Sequence, residues 1–397
     1  MKLETRHAVL EDLPAIGIAD GRAFGLHYTD TDLDDFRPLF EPDRFLVASE
    51  PDGGPIVGIT GAFSFDLTMP AADPMPTQGV TWVSCATTHR RHGVVRRLLV
   101  EQHREFVERG YAVSVLTASE GGIYGRFGYG QAGRRRAVRI DRRLASFRSD
   151  APDPGGVRFA SPEDVRKLAP DVHRRWAART PGAVSRDDRW WEYCLADRAD
   201  YREGGTALFH LIHPDGYVSY RVHEESRTCR VVDLFAATDE AHAALWRTLL
   251  GIDLAHFVTS EDCPVDDPLP FLLEDPREVS TTDLADGLWA RVLDVPAALT
   301  ARRYAVEVDV VLDVSDALLG LGGRFRLRGG PDGASCERVT AVPDAHLAIG
   351  TLGSLLFGTH RAQTMARAGL VAADAPVLGR LDAAFAGERE VRHGTHF

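Results

Sequence analysis

Apolar positions alternate or cluster in short runs over residues 5–8, 45–49, 56–65, 79–85 and 112–117, a spacing that predicts β-strands. Over residues 11–24 and 94–109 the period lengthens to that of a helix. In the second of these, Val95, Leu98, Leu99 and Phe106 share a face, charged residues take the rest, and Gly110 stands where a C-terminal cap is expected. With an arginine-rich strand at 134–140, the alternation predicts a domain built on a mixed α/β sheet over residues 1–148. A turn-rich linker, SDAPDPGG, follows at 149–156. Residues 157–177 then repeat the opening pattern of strand, Ser-Pro-Glu helix start and amphipathic helix. Strands at 206–212, 217–222 and 228–234 and a helix at 241–250 make residues 149–293 a second copy of the first half. The remainder, 294–397, alternates through VEVDVVLDV and GRFRLRGG and closes in a Leu/Ala-rich helical tail.

The junction between the strand ending at Cys85 and the helix starting at Val94 carries chemistry. Arg90, Arg91, His92 and Gly93 form a turn that opens the helix. The first N–H groups of a helix lack internal partners and carry the positive end of its dipole, so such a turn cradles a pyrophosphate. Gly93 lets the backbone approach closely, and Arg90, Arg91 and Arg96 add charge-assisted bonds to phosphate oxygens. After the next strand comes ASEGGIYGRFGYG, with glycines at 121, 122, 125, 128 and 130 around Tyr124 and Tyr129. The second copy has no such turn. Its equivalent, FAATDEAHAA, offers Thr238 as an N-cap and the acids Asp239 and Glu240, which repel pyrophosphate.

Strand, phosphate turn, helix, strand and a short tyrosine-bearing helix resemble the acetyl-CoA core of the Gcn5-related N-acetyltransferases (GNATs). Their turn, Arg/Gln-x-x-Gly-x-Gly/Ala, is met by Arg90 and Gly93; Val95 departs from it at the last position. The third segment resembles a sterol-carrier domain. THRRHGVVRR and SEGGIYGRFGYG, in a chain of two GNAT-like domains and a sterol-carrier-like domain, resemble the enhanced intracellular survival (Eis) family of aminoglycoside N-acetyltransferases. That resemblance implies acetyl-CoA as co-substrate, an aminoglycoside or other polyamine as acceptor, a homohexamer and a cytoplasmic location. It also implies donor-binding positions at Val83, Ser84 and Cys85, at Arg91, His92, Gly93, Val94, Val95 and Arg96, and at Ser119 and Glu120.

The resemblance further implies the acid and the base. Tyr124 starts the short helix, where the superfamily has its tyrosine acid. A phenol with pKa near ~10 stays protonated at neutral pH and donates to the departing thiolate. Tyr129 is read as a packing aromatic. The family's base is the carboxylate of its last residue, here Phe397, whose ring is expected to anchor the terminus in an apolar pocket. A free α-carboxyl near ~3.5 is a weak base, so burial must raise it or a water must relay the proton. His89, His92 and His103 are read as solvated. Asp30, Asp32, Asp34 and Asp35, beside Phe24, Tyr28 and Phe36, are read as helix-start acids that are also candidates to flank a cationic sugar, with Trp82 and Phe357 as further acceptor candidates.

Composition narrows the alternatives. A net charge of −12 disfavours nucleic acid and anionic membranes and favours cationic ligands. The start of the chain has no signal-peptide pattern, and no stretch reaches the ~20 apolar residues of a membrane span. The five cysteines are scattered without metal-ligand spacing, so no metal is expected. Two other functions fit the sequence. One is acetylation of protein lysines or small polyamines. The other is a non-catalytic protein whose third domain, through LAIGTLGSLLFG (347–358), carries an apolar ligand.

Overall fold

The computed structural model describes residues 3–397. They fall into two compact units. One takes the chain up to Gly133 with Gly287–Glu388 and His396–Phe397, and the other takes Arg134–Asp286 with Arg389–Thr395.

The first unit holds two sheets. Its larger sheet contains β1 (Glu4–His7), β2 (Leu46–Ser49), β3 (Ile56–Thr68), β4 (Pro74–Cys85), β5 (Val113–Thr117) and β6 (Gly130–Gln131), joined by β14 (Leu288–Val292), in the order β1-β2-β3-β4-β5-β14-β6. The helices of this half are α1 (Leu13–Phe24), α2 (Asp30–Phe36), α3 (Val94–Glu108) and the single turn α4 (Gly121–Tyr124). Val94 and Leu98 of α3 pack on Leu46 and Ala48 of β2, while Leu99 and Phe106 pack with Val80 and Leu116. The smaller sheet, of β15 (Val308–Ser315), β16 (Gly323–Gly330), β17 (Gly333–Arg338), β18 (Ala345–Ala348) and β19 (Val371–Ala373), runs β17-β16-β15-β18-β19. With it go α9 (Val295–Thr300), α10 (Ile349–Leu355), α11 (Ala362–Arg367) and α12 (Ala375–Phe385).

The apolar run 347–358 is interior to this unit. Gly350 and Gly353 of α10 approach the backbone of Tyr129 and Ala290 so closely that a Cβ on Gly353 would stand 2.3 Å from the Ala290 carbonyl oxygen. Phe357 is fully buried. Packing of α10 against the larger sheet therefore accounts for the apolar surface that an apolar-ligand reading needs.

The second unit has one sheet, of β7 (Arg134–Asp141), β8 (Arg158–Ala160), β9 (Phe209–His213), β10 (Gly216–His223), β11 (Thr228–Ala236), β12 (Phe257–Cys263) and β13 (Val279–Asp286), ordered β13-β7-β12-β11-β10-β9-β8. Helix α5 (Pro162–Ala177) starts at a capping box in which Ser161 accepts from the Asp164 N–H, as Ser-Pro-Glu predicts. Helices α6 (Asp188–Leu195), α7 (Asp239–Leu250) and α8 (Leu269–Leu272) complete the unit.

Two strands lie where periodicity does not place them. Residues 134–140, read with the N-terminal sheet, instead form β7, which pairs with β12 and β13 of the second unit. In return β14 pairs with β5 through Leu288–Thr117 to Val292–Val113 and completes the first sheet. Strand period reports burial on two faces and says nothing about which neighbour supplies the hydrogen bonds.

Candidate active site

The wedge that defines the site begins where two parallel strands part. β4 and β5 are in register at Gln78–Ser114 and Gly79–Val115, after which β4 continues to Cys85 and β5 to Thr117. A bulge drives the divergence: Ile59 and Gly61 of β3 face Ser84 and Thr81, which leaves one extra residue on β4. Within the bulge Trp82 takes φ +50°, and its ring stacks on Tyr28 (5.6 Å, 22°) and meets Phe36 at 4.7 Å. Val83, Ser84 and Cys85 thus lie on the free end of β4, and Ser119 and Glu120 follow the free end of β5.

The turn between β4 and α3 is open and exposed. Arg91 at φ +66° and Gly93 at φ +77° give the turn two left-handed residues, the kind of backbone from which anion nests are built. The bond from Arg97 N to Gly93 O, at 3.0 Å, closes the first turn of α3, so the N–H groups of Val94, Val95 and Arg96 have no partner inside the helix. Nothing lies within 4 Å of where a Gly93 Cβ would stand. His92, Arg91 and Arg96 are exposed beside these donors. This arrangement fits a diphosphate, with N–H donors at its centre and guanidinium groups at its rim.

Tyr124 is buried, and its hydroxyl bonds the side chain of Ser119. Burial, with the Glu120 carboxylate nearby, pushes its pKa above the usual phenol value, so it holds its proton throughout the neutral range. Tyr129 sits deeper, its hydroxyl 2.9 Å from His103 Nε2 and 3.0 Å from Ser114 Oγ, and burial raises its pKa further. This supports its reading as a packing aromatic.

The C-terminal residue sits on the same strand end. Thr117 Oγ1 donates to the Phe397 carboxylate at 2.9 Å, and the Phe397 ring packs on Phe65 with centroids 5.0 Å apart. Glycine is required at position 79, since a Cβ there would stand 2.8 Å from the Phe397 ring and 2.6 Å from Phe65. Thr117 at the end of β5 and Ser119 just beyond it, two residues apart, therefore hold the terminal carboxylate and the phenol.

Two histidines read as solvated are buried. His89 bonds Thr88 Oγ1 at 2.8 Å and faces Glu50 at 3.3 Å. His103 is fully buried; it stands four residues after Leu99 and three before Phe106, the apolar face of α3, and that spacing was the available signal. His92 is exposed, as read. Burial holds His103 neutral well below the usual imidazole range. The unfolded chain takes up this proton below ~6.5 and the native chain does not, so stability is full above that pH and falls beneath it. The unfolding free energy from denaturant titrations is expected to drop by up to about 1.4 kcal/mol per pH unit below ~6.5, and His103→Gln to flatten that slope.

Sequence reasoning missed Asp20 and Arg291. Asp20, buried on α1, accepts from Tyr28 Oη at 2.9 Å and bonds Ser84, fixing the ring that stacks on Trp82; burial raises its pKa. Asp30 and Asp34 are exposed and Asp32 is half-buried; Asp32 accepts from the Thr29 N–H in a capping box at the start of α2, and Asp34 faces Arg37. Arg291 of β14 is fully buried, donates to Phe127 O at 2.5 Å and pairs with buried Asp316 at 2.9 Å. It pins the loop that joins Tyr124 to Tyr129.

Comparison with known proteins agrees with this architecture. Residues 4–132 and 182–292 each match an acetyltransferase (GNAT) domain, and residues 295–392 match a sterol carrier protein domain. The chain is 42% identical over 354 residues to the N-acetyltransferase Eis of Mycobacterium tuberculosis, covering 87% of each chain. An uncharacterized N-acetyltransferase of Streptomyces avermitilis is 37% identical over 336 residues, 81% of this chain and 80% of its own. The crystal structure of Eis1 from Mycobacterium abscessus superposes with a TM-score of 0.88 at 32% identity, covering 99% of this chain and all of that one.

Proposed function

The chain belongs to the Eis family of GNAT N-acetyltransferases, and on that premise we propose that it transfers the acetyl group of acetyl-CoA to primary amines of aminoglycoside-type polycations. The observation that carries the reading is the pair held at and just beyond the end of β5: a buried phenol bonded to Ser119 and a terminal carboxylate bonded to Thr117.

In this reading the turn from Arg91 to Arg96 binds the diphosphate of the donor. Val83–Cys85 and Ser119–Glu120 line the two sides of the wedge that takes the pantetheine arm. The amine nitrogen attacks the thioester carbonyl, the C–N bond forms and the C–S bond breaks. The Phe397 carboxylate takes the proton lost by the amine, and Tyr124 Oη supplies one to the departing sulfur. Tyr28 and Trp82, braced by Asp20, form an aromatic wall for the acceptor. Replacing Tyr124 by Phe is expected to lower kcat about 10²-fold or more while leaving the KM for acetyl-CoA nearly unchanged, as measured by initial rates.

A net charge of −12 suits a polycationic acceptor. The proposal includes a homohexamer and a cytoplasmic location, the first checked by light scattering on the purified chain. The deciding assay measures thiol release from acetyl-CoA with aminoglycosides, spermidine and a lysine peptide in parallel. Aminoglycosides are expected to give the highest kcat/KM. Faster turnover of the peptide or spermidine would move the natural acceptor to that class.

A further inference from the structure

The second unit keeps the wedge of the first with its charge reversed. β11 and β12 are in parallel register from Thr228–Phe257 to Val231–Ser260, then continue to Ala236 and Cys263. A cavity of about 460 Å³ opens between their ends and the start of α7. That volume is within the ~300–1,000 Å³ of small-molecule sites.

Its lining is unsuited to coenzyme A. Asp239 and Glu240 occupy the first turn of α7, where the first unit has exposed N–H groups beside arginines. Asp262, Asp266, Asp267 and Glu390 bring the carboxylates of the lining to six, against the guanidinium groups of Arg389 and Arg392. Some of this charge is met within the unit: Arg392 pairs with Asp262 at 2.8 Å, Arg389 with Asp239 at 3.4 Å, and His242 with Asp267 at 3.1 Å. The rest is not. Glu390 gives one oxygen to Arg134 at 2.9 Å, while its other oxygen, Oε2, is buried without a hydrogen-bond partner. Glu240 is exposed at the rim, and the exposed Asp266 accepts from the Glu390 N–H at 2.9 Å.

The walls between these acids are apolar, formed by Trp176, Trp246, Leu234 and Leu272. Among the described residues no three ligating side chains converge as a metal site. Separated carboxylates with an apolar wall between them match a linear cation, with its ammonium ends on the acids and its methylenes on the wall.

We propose that this cavity binds an alkyl diamine or polyamine, as a site separate from the acetyl-transfer centre. Binding is tested by calorimetric titration of spermidine into the full chain and into the Glu240→Gln/Asp266→Asn variant, whose two changed side chains are exposed. The wild-type chain is expected to bind spermidine with an affinity that added salt weakens. The variant is expected to bind at least about tenfold more weakly with an unchanged melting temperature, and Tyr124→Phe to bind as the wild type does. No binding, equal binding by the carboxamide variant, or displacement of spermidine by coenzyme A would overturn the proposal.

Discussion

Adding a few residues after Phe397 is expected to lower kcat for acetyl transfer by about 10²- to 10⁴-fold, the range a positioned general base supplies. The extension converts the terminal carboxylate into a neutral amide at the point where Thr117 Oγ1 now donates to it. The Phe397 ring keeps its place between Phe65 and Gly79, so the anchor survives and the charge does not. Affinity for acetyl-CoA is expected to hold, because the exposed turn at Arg91–Arg96 is unaltered. Calorimetry and initial rates on the same preparation separate the two effects. An extended chain with wild-type kcat would remove the carboxylate from the mechanism.

The largest expected effect on stability comes from Arg291. Its guanidinium group has no exposure, and Asp316, its partner at 2.9 Å, has almost none. Burial alone lowers the arginine pKa, and the aspartate works against that fall. Arg291→Ala removes the ion-pair partner of the buried Asp316 side chain, leaving it with the N–H groups of Leu318 and Leu321, and frees the Phe127 carbonyl as well. The expected loss is about 3–5 kcal/mol in urea unfolding. Replacing both partners by apolar residues, Arg291→Met with Asp316→Leu, is expected to recover much of it, since no charge is then left buried alone. Retention of full stability by Arg291→Ala would show that the pair is not what holds the loop.

The parts of this site that were legible in the sequence are those set by local chemistry. Gly93 is needed for a left-handed turn, Leu98 and Leu99 mark the buried face of α3, and Ser161 and Thr238 cap helices where their side chains predict. What was not legible depends on long-range partners. The bulge at Trp82 arises from one extra residue opposite β3, and the composition of β4 does not disclose it. Arg291 alternates with Leu288, Ala290 and Val292 in a way that predicts an exposed position, yet both faces of β14 are covered. His103 was misread because charged neighbours at 101, 104 and 105 hid its place on the apolar face. Residues 134–140 read correctly as a strand and incorrectly as part of the N-terminal sheet, because pairing between strands distant in sequence leaves no periodic trace.

Acetyl-CoA is expected to bind the first wedge and not the second. The most direct measurement is a calorimetric titration of acetyl-CoA into the wild-type chain and into Arg91→Glu/Arg96→Glu. One molecule per chain is expected for the wild type, with binding lost or weakened by at least about 100-fold in the variant, as two charge-assisted contacts are replaced by repulsion. Two molecules per wild-type chain, or undiminished binding by the variant, would contradict the account.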